Sequence, residues 1–496
     1  MINAFSALRL LAFPTLIIGI VQFIFGILSI APFDDGAALG FIEPAVVLII
    51  LALCVIVFLQ RGESLRVNYR ESLLFVSLIW LLSGIASAIP ILIIENVSFT
   101  DAVFEAISGL TTTGATILTD LDQQPRSFLM YRQFLQWLGG LGMVIFVVAI
   151  LPMLNVGGMK ILKAETPGPM KDEKLAPRVI HTARYLWYVY IVITLLCAAG
   201  YFFAGMTLYD AIAHSFSTVS TGGFSTHDAS LGYFDGRWVK LNADLFMLLG
   251  AINFGLHFRF ALSGDAKVYL RDEEVRLFLW LTLGLSVLLF LILVCSGSAP
   301  IFVTASTSST IGLWMDTFLA SVFMLISFMT STGFGADDFT QWPLLAACLL
   351  IFSGYLGGCA GSTAGGSKII RILLSLKLTA HQFKLLVHPR AVFTIRYNGN
   401  SVAPEILSAV MVFMTISTFF TLFLVLALNA TGLSFWAAFS AVAACLNVVG
   451  PGFGELGNNF QPVSDIGTWI LSFAMLLGRL EFFTIIVLLV PEFWRR

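Results

Sequence analysis

The sequence predicts an all-α membrane protein made of four similar units that follow two additional transmembrane helices. Three observations lead to this fold class. First, 58% of the 496 residues are hydrophobic and only 11% are charged, with a mean hydropathy of +0.92, which is too apolar for a soluble protein. Second, the apolar residues are grouped in long runs. Third, a glycine-containing loop recurs between these runs at nearly regular intervals.

The apolar runs are long enough to cross a bilayer, because a transmembrane helix needs about 20 mostly apolar residues. The first run follows a single arginine and lacks a clear cleavage site, so we interpret it as a retained helix rather than a signal peptide. An even number of spans places both termini on the same side. The ten predicted spans are residues 10–31, 42–60, 72–94, 132–155, 185–205, 241–262, 277–297, 343–376, 404–429 and 464–490.

Four segments between these spans are too short or too polar to cross the membrane. Each has a helical pattern, begins at a candidate N-cap and ends in glycine. Such a helix enters the membrane and stops there, and irregular backbone is tolerated at that depth only where protein buries it or where it lines a water-filled cavity. The candidate N-caps are Asp101, Asp210, Asp316 and Ser434.

The glycines at the ends of these segments define an internal repeat, which is stronger evidence than any single motif. Each unit consists of a span, a re-entrant helix, a glycine loop and a second span. The aligned glycines, spaced by 108, 111 and 117 residues, are Gly114, Gly222, Gly333 and Gly450. The predicted units are an N-terminal helix pair, residues 1–71, and four repeats, residues 72–184, 185–276, 277–396 and 397–496.

The lysine and arginine residues predict the orientation. Under this topology 22 of the 27 lie on the side that holds both termini, four lie on the opposite side, and Arg479 is within the membrane. The positive-inside rule therefore places both termini in the cytoplasm and the glycine loops outside. Nine acidic residues on the outer side would concentrate cations. They are Asp34, Asp35, Asp120, Asp122, Asp228, Asp235, Asp337, Asp338 and Glu455.

The four loops have the composition of a cation-binding ring. Dehydrating a cation requires oxygen atoms in place of water, and backbone carbonyls provide them without fixed charge. Glycine reaches the necessary backbone angles without strain, and the nearby hydroxyl groups would line the mouth or brace the loops. A single copy is more often a turn or a packing site, but four equivalent copies favour a filter. The candidate filter residues are Thr112, Thr113, Gly114, Ser220, Thr221, Gly222, Ser331, Thr332, Gly333, Val448, Val449 and Gly450.

These motifs resemble those of the superfamily of Trk, Ktr and HKT cation transporters. TTTGAT, STGGFS, STGFG and VGPGFG stand inside four units of the expected kind, and the two additional N-terminal spans make the chain most similar to the bacterial TrkH type. The resemblance covers essentially the whole chain. It implies a filter that binds K⁺, one pore per subunit, a homodimer in the bacterial inner membrane, and regulation by a cytosolic nucleotide-binding subunit similar to TrkA.

The resemblance also gives meaning to single residues in the loops. In plant relatives, a serine in the first loop resembles a sodium-preferring arrangement, whereas Gly114 fits potassium. The fourth loop departs from the pattern, because Val449 and Pro451 supply neither a hydroxyl group nor a second amide donor. We therefore expect a less symmetric filter that also admits rubidium and some sodium.

The eighth predicted span contains six glycines within residues 353–371. Glycine costs about 1 kcal/mol relative to alanine in a helix interior, so this helix either breaks or packs closely through its GxxxG pairs. The residues alone leave both alternatives open, and the resemblance implies an intramembrane loop that acts as a gate. The candidate gate residues are Gly357, Gly358, Gly361, Ser362, Thr363, Gly365 and Gly366.

The tenth predicted span carries Arg479 and Glu481 inside an apolar run. A charge at the bilayer centre costs about 2.5–3.5 kcal/mol on insertion scales, so each should face a cavity or a partner. Residues two positions apart on a helix do not face each other. We favour Arg479 at the pore, where the resemblance implies an electrostatic barrier that works with the gate. The alternative is a structural pair with a polar group on a neighbouring span.

The sequence therefore predicts K⁺ uptake through a gated pore, without an organic cofactor or a nucleic-acid partner. No nucleotide-binding fingerprint, metal-ligand spacing or catalytic constellation occurs, so we expect a transporter rather than an enzyme. A Na⁺- or H⁺-coupled K⁺ symporter on the same scaffold is the main alternative. A membrane enzyme that uses Asp101, Glu105 or His214 is another, and in that case the loop glycines would be dispensable.

Overall fold

The computed structural model describes residues 4–58, 69–145, 175–297, 310–336, 338–390 and 394–495. These residues are almost entirely helical, and among them the only strands form a short hairpin, Arg396–Tyr397 with Asn400–Ser401. In the same part of the chain, eight helices are long and apolar enough to span a membrane, and one bent pair of helices makes a ninth. The predicted all-α membrane fold is confirmed.

The helices follow the predicted order of one N-terminal pair, Ala4–Leu28 and Ala38–Phe58, and four units. Each unit has an outer helix, a re-entrant helix and an inner helix. The re-entrant helix has 12 residues in the first, second and fourth units and 20 in the third, where it is long enough to be counted among the eight. The outer helices are Tyr69–Glu95, Leu175–Phe203, Glu273–Ser296 and Pro404–Asn429. The re-entrant helices are Phe99–Leu110, Leu208–Val219, Thr310–Met329 and Phe435–Leu446.

The inner helices differ more from one another than the outer ones do. The first and fourth are Arg126–Ile145 and Asp465–Leu489, and the second and third are each divided into two segments. The segments are Arg237–Ala251 with Phe254–Ser263, and Leu344–Leu356 with Ile369–Val387. Short helical turns are Ser29–Phe33, Leu121–Gln123, Ser230–Tyr233, Lys267–Arg271, Phe339–Gln341, Gly454–Leu456 and Pro491–Trp494.

The first two re-entrant helices begin earlier than predicted. Their N-caps are Ser98 and Thr207, whose hydroxyl groups accept the backbone N–H groups of Asp101 and Asp210. The two aspartates, which we predicted as caps, therefore lie in the first turn of each helix. A carboxylate there interacts favourably with the positive end of the helix dipole.

The other two predicted caps have different outcomes. Asp316 lies inside the third re-entrant helix, Thr310–Met329, and is not its cap. Its carboxylate instead accepts a hydrogen bond of 2.7 Å from Arg237. Ser434 caps the fourth re-entrant helix as predicted, by accepting the backbone N–H of Ala437.

The span predicted at residues 241–262 is not one continuous helix. Its two segments meet at an angle of 98°. Between them, Ile252 is extended, with φ −88° and ψ 151°, and Asn253 caps the second segment by accepting the backbone N–H of Gly255. The bend was not predicted, because the run stays apolar through it and hydropathy does not report a change of direction.

The third inner helix breaks at its glycines. It stops at Leu356 and resumes at Ile369, and we call residues 357–368 the intramembrane loop. Gly357, Gly361 and Gly366 in this loop have φ values of 73°, 72° and 77°, which glycine reaches without strain. Of the two alternatives left open by the sequence, the break is therefore the one that the chain adopts.

Glycines on the inner helices position the ends of the re-entrant helices. A methyl group on Gly139 would overlap the carbonyl oxygen of Leu110, at the end of the first re-entrant helix. In the fourth unit, a methyl group on Gly478 would likewise overlap the carbonyl oxygen of Leu446. Only glycine permits this approach, which brings the loops that follow the re-entrant helices toward the centre of the molecule.

Candidate functional site

The four glycine loops meet in a closed ring. A methyl group on one glycine of each loop would overlap a backbone carbonyl oxygen of the next loop, so the loops touch through their main chains. Because the fourth loop touches the first, the ring surrounds a common axis. The contacts run from Gly114 to Gly222, from Gly223 to Thr332, from Gly333 to Val449 and from Gly450 to Thr113.

The ring corrects the predicted alignment of the second loop by one residue. The glycines that face the next loop have φ values between 78° and 100°, and the residue two positions before each of them also has a positive φ, between 54° and 59°. Gly223, and not Gly222, is therefore equivalent to the other three glycines. The equivalent trios are Thr112, Thr113 and Gly114; Thr221, Gly222 and Gly223; Ser331, Thr332 and Gly333; and Val448, Val449 and Gly450.

The misaligned residue Ser220 stands outside this ring of trios. It caps the C-terminal end of the second re-entrant helix and donates its hydroxyl hydrogen to the carbonyl of Ser217 at 3.3 Å. A sequence signal for the correct alignment exists, because phenylalanine follows both Gly223 and Gly333.

Hydroxyl groups brace the first and third loops from behind. The Thr111 and Thr113 hydroxyls are 2.7 Å apart, and those of Thr330 and Thr332 are 2.8 Å apart. All four side chains are buried. Of the two roles predicted for the loop hydroxyls, these four serve as braces. Two serines of the re-entrant helices bond carbonyls just after the trios. The hydroxyl of Ser108 donates to the carbonyl of Ala115 at 2.6 Å, and that of Ser327 donates to the carbonyl of Phe334 at 2.8 Å.

A buried ion pair that we did not predict holds the first loop. Arg132 of the inner helix pairs with Glu105 of the re-entrant helix, and both side chains are fully buried. Glu105 also accepts the backbone N–H of Ile117 at 3.2 Å and the hydroxyl of Thr116 at 3.0 Å. The guanidinium of Arg132 lies 4.2 Å from the ring centroid of Phe224, so the pair links the first loop to the second.

Two of the three candidate groups of the enzyme alternative are engaged in hydrogen bonds within the fold, and the third lies at a helix start. Glu105 is satisfied by the contacts just described. His214 lies between the carbonyl of Asp210 at 2.9 Å and the hydroxyl of Ser225 at 3.0 Å, and it is fully buried. Asp101 lies in the first turn of its helix. These positions indicate roles in packing and helix stabilisation rather than in a shared reaction centre.

A cavity of about 930 Å³ opens above the ring, and all four ring glycines line it. Four of the nine acidic residues predicted on this side line the cavity as well. Asp337, another of the nine, lies outside the described residues. Carboxylates around a confined cavity raise the local concentration of cations. The lining acidic residues are Asp120, Asp228, Asp235 and Asp338.

His227 links the first and second loops at the rim of this cavity. Its Nδ1 lies 2.5 Å from a carboxylate oxygen of Asp122, its Nε2 lies 3.6 Å from Asp210, and its ring stacks on Tyr233 at 3.5 Å. Burial lowers the pKa of His227, but the two carboxylates raise it by more, so the pKa lies above its ordinary value.

The contacts of His227 with the two carboxylates predict that the stability of the protein depends on pH. Because the pKa of His227 is raised in the folded state, its stabilising contribution is fully present below the ordinary histidine pKa and is lost as the pH rises through the folded-state value. We expect the melting temperature of the purified protein to fall more between about pH 6 and pH 8 in the wild type than in His227→Gln. Parallel pH profiles of the two proteins would contradict this assignment.

The intramembrane loop lies directly beneath the ring. The hydroxyl of Thr363 lies within hydrogen-bond distance of the carbonyl oxygens of Val219 at 3.1 Å and Gly250 at 3.0 Å, and the Thr221 hydroxyl lies 3.2 Å from it. The backbone N–H of Gly365 donates to the hydroxyl of Ser331 at 2.5 Å. All predicted gate residues other than Arg479 fall within this loop: Gly357, Gly358, Gly361, Ser362, Thr363, Gly365 and Gly366.

Arg479 ties the intramembrane loop to the first unit. It is only 2% exposed, and its guanidinium donates to the carbonyl of Thr363 at 2.8 Å and to that of Gly139 at 3.1 Å. Its hydrogen-bond partners are thus backbone carbonyls. A cavity of about 20 Å³, enough for about one water molecule, lies beside it.

Two further cations and one carboxylate surround the same small cavity. Lys368 donates to the carbonyl of Ala364 within the loop. Arg371 pairs with Glu481 at 2.7 Å, and Glu481 has a φ of 58° that interrupts the fourth inner helix. The partner that we expected for an intramembrane charge is therefore found for Glu481, on the third inner helix.

Comparison with known proteins identifies the family. The chain matches the TrkH family, described as "Cation transport protein", over residues 43–496. It belongs to the TrkH family. Members of this family are cation transporters and not enzymes, which confirms the predicted class of protein and its predicted family.

Individual TrkH proteins match the chain over nearly its whole length. The Trk system potassium uptake protein TrkH of Vibrio parahaemolyticus is 44% identical over 97% of this chain and 98% of its own. The protein of the same name from Escherichia coli K12 is 41% identical over 97% of this chain and 99% of its own. The crystal structure of the potassium transporter TrkH from Vibrio parahaemolyticus superposes with a TM-score of 0.89 at 41% identity, covering 99% of this chain and 100% of that one.

Proposed function

We propose that this TrkH-family protein takes up K⁺ across the bacterial inner membrane through a gated pore whose selectivity filter is the ring of four glycine loops. The observation that carries the proposal is the closed ring, in which each loop glycine abuts a carbonyl of the next loop. Two relatives are named potassium uptake proteins, and the solved relative is named a potassium transporter. Backbone carbonyls suit K⁺, because they replace its hydration shell without fixed charge.

In the proposed mechanism, the acidic cavity above the ring gathers K⁺, and the ion loses water as it enters the filter. The candidate oxygen ligands are the carbonyls at the ring contacts, those of Thr113, Gly222, Thr332 and Val449. Because Val449 has no hydroxyl brace like that of Thr113, the ring is uneven. We infer that rubidium and some sodium pass as well.

The intramembrane loop serves as the gate in this proposal. It closes the route below the ring by contacting Thr221 and Ser331, and Arg479 adds a positive charge where a cation would leave the filter. The loop continues directly into Ile369–Val387. A cytosolic nucleotide-binding subunit that displaced this helix segment would therefore move the gate.

We also propose a homodimer with both termini in the cytoplasm, one pore in each subunit and the repeat boundaries predicted above. The orientation is supported by the distribution of charge, because cytoplasmic loops carry an excess of lysine and arginine. In the described residues, the basic side chains of Arg371, Lys377 and Lys384 all lie on the helix below the intramembrane loop.

The proposal is tested by ion flux in proteoliposomes that contain the purified protein and its regulatory subunit. We expect a current that reverses at the K⁺ equilibrium potential, whatever Na⁺ or H⁺ gradient is imposed. A reversal potential that follows the Na⁺ or H⁺ gradient would instead identify a coupled symporter. Expression in a bacterium that lacks K⁺ uptake should restore growth at low K⁺, and failure to do so at normal membrane abundance would contradict the proposal.

A further inference from the structure

The second loop of the ring is braced differently from the first and third loops. In the first and third loops, a threonine of the trio is held by a second threonine hydroxyl of the same unit. The corresponding residue of the second loop is Gly222, which has no side chain. Ser217 lies at the position of the serines that hold the first and third loops, but its hydroxyl has no hydrogen-bond partner among the described residues.

Two glutamines from another unit take the place of these braces. Gln136, on the first inner helix, donates to the carbonyl of Gly222 at 2.7 Å and accepts the backbone N–H of Phe224 at 3.1 Å. Gln133, one turn earlier, donates to the carbonyl of Phe224 at 3.0 Å. Both glutamine side chains are fully buried. The amide of Gln136 thus spans the loop on both sides of Gly223.

The side chain of Gln136 also occupies the space that a side chain at position 222 would need. A Cβ atom added to Gly222 would overlap Cγ, Cδ and Oε1 of Gln136. The first, third and fourth loops have the β-branched residues Thr113, Thr332 and Val449 at this position. Gly222 and Gln136 are therefore complementary, because the missing side chain of Gly222 leaves the space that the Gln136 side chain fills.

We infer that Gln136 is a positioning residue that determines the ion selectivity of the second loop. This inference rests on the proposed function of the ring as a filter. The carbonyl of Gly222 is one of the four oxygens at the ring contacts, and Gln136 fixes its position with a buried hydrogen bond. A filter carbonyl that is free to move can close around the smaller Na⁺ ion, so the loss of this bond weakens discrimination against Na⁺.

The experiment measures the Na⁺/K⁺ permeability ratio and the K⁺ flux in a double-mutant cycle. We expect Gln136→Ala to raise the Na⁺/K⁺ permeability ratio by about tenfold, which is the scale of the one buried hydrogen bond that holds the Gly222 carbonyl. Gly222→Thr should lose flux, because its side chain collides with Gln136. In the double variant the threonine occupies the vacated space, so flux and selectivity should both recover toward wild type.

A second variant and a control keep the test decisive. Gln136→Met preserves side-chain volume without the hydrogen bonds, and it decides the question if Gln136→Ala is absent from the membrane. Ser321→Ala is the control, because Ser321 is fully buried but donates only within its own helix, to Thr317. A wild-type permeability ratio in Gln136→Met, or a double variant with no more flux than Gly222→Thr, would overturn the inference. Absence of K⁺ flux in the wild type would refute the proposed function instead.

Discussion

Replacing Gly223 with alanine is expected to remove most K⁺ uptake. This residue has a φ of 81°, and a methyl group on it would overlap the carbonyl oxygen of Thr332 in the next loop. Backbone strain of this kind costs about 1–3 kcal/mol, which corresponds to about 5- to 150-fold in a rate. If the loop moves to relieve the strain, it carries a ring carbonyl away from the axis, so both responses reduce flux.

Rubidium uptake by cells at equal membrane abundance of each protein provides the measurement. Gly335→Ala is a matched control in a neighbouring loop, because its φ is not left-handed and an added methyl group would be in ordinary contact, 3.5 Å from Phe339. Gly222→Ala should be less damaging than Gly223→Ala, since its methyl group meets only a side chain, that of Gln136. Near-normal uptake in Gly223→Ala with loss in Gly222→Ala would restore the alignment first derived from the sequence.

The choice between these two glycines shows where prediction from sequence stops. Long apolar runs and capped short segments predicted the helices of the four units, because both signals are local. Gly222 and Gly223 are adjacent, and the only local signal that separates them is the phenylalanine that follows Gly223, as one follows Gly333. Their different roles are decided by packing. Gly223 abuts the third loop, whereas the space beside Gly222 is filled by Gln136 from a helix about 86 residues earlier.

The bend in the second inner helix has a similarly distant cause. The backbone N–H of Phe254 donates to the carbonyl of Gly361, and that of Cys359 donates to the carbonyl of Ala251. The intramembrane loop thus fits into the break and uses the backbone groups that the helix leaves unpaired. Asn253 is the one local signal, because asparagine is a favoured N-cap, but the apolar run around it hides the change of direction.

The pair Arg371–Glu481 was also beyond local prediction. The two residues are 110 positions apart, on the third and fourth inner helices, and the charge pattern of each helix alone did not indicate the other. What could be predicted was the need for a partner, because an unpaired intramembrane charge is costly. The structure adds that this need is met for Glu481 by arginine and for Arg479 by backbone carbonyls.

Replacing Arg479 with alanine is expected to raise K⁺ flux in the absence of the regulatory subunit. A unit charge about 8 Å from a permeating cation, at an effective dielectric constant of about 20, opposes it by about 2 kcal/mol, which corresponds to about 30-fold in rate. The variant also removes the bond that ties Thr363 to Gly139, so the intramembrane loop becomes freer to move. Both effects act in the same direction, and flux through proteoliposomes without the regulator measures their sum.

Arg479→Lys separates these two effects, because lysine keeps the charge but cannot reproduce the two-sided contact of the planar guanidinium. If charge is the barrier, Arg479→Lys has the same low K⁺ flux as the wild type, and only Arg479→Ala has a higher flux. If the link between Thr363 and Gly139 keeps the intramembrane loop closed, K⁺ flux is raised in both variants. Unchanged or lower flux in a well-folded Arg479→Ala protein would assign Arg479 a structural role alone. The pore would then be closed by the intramembrane loop through its contacts with Thr221 and Ser331.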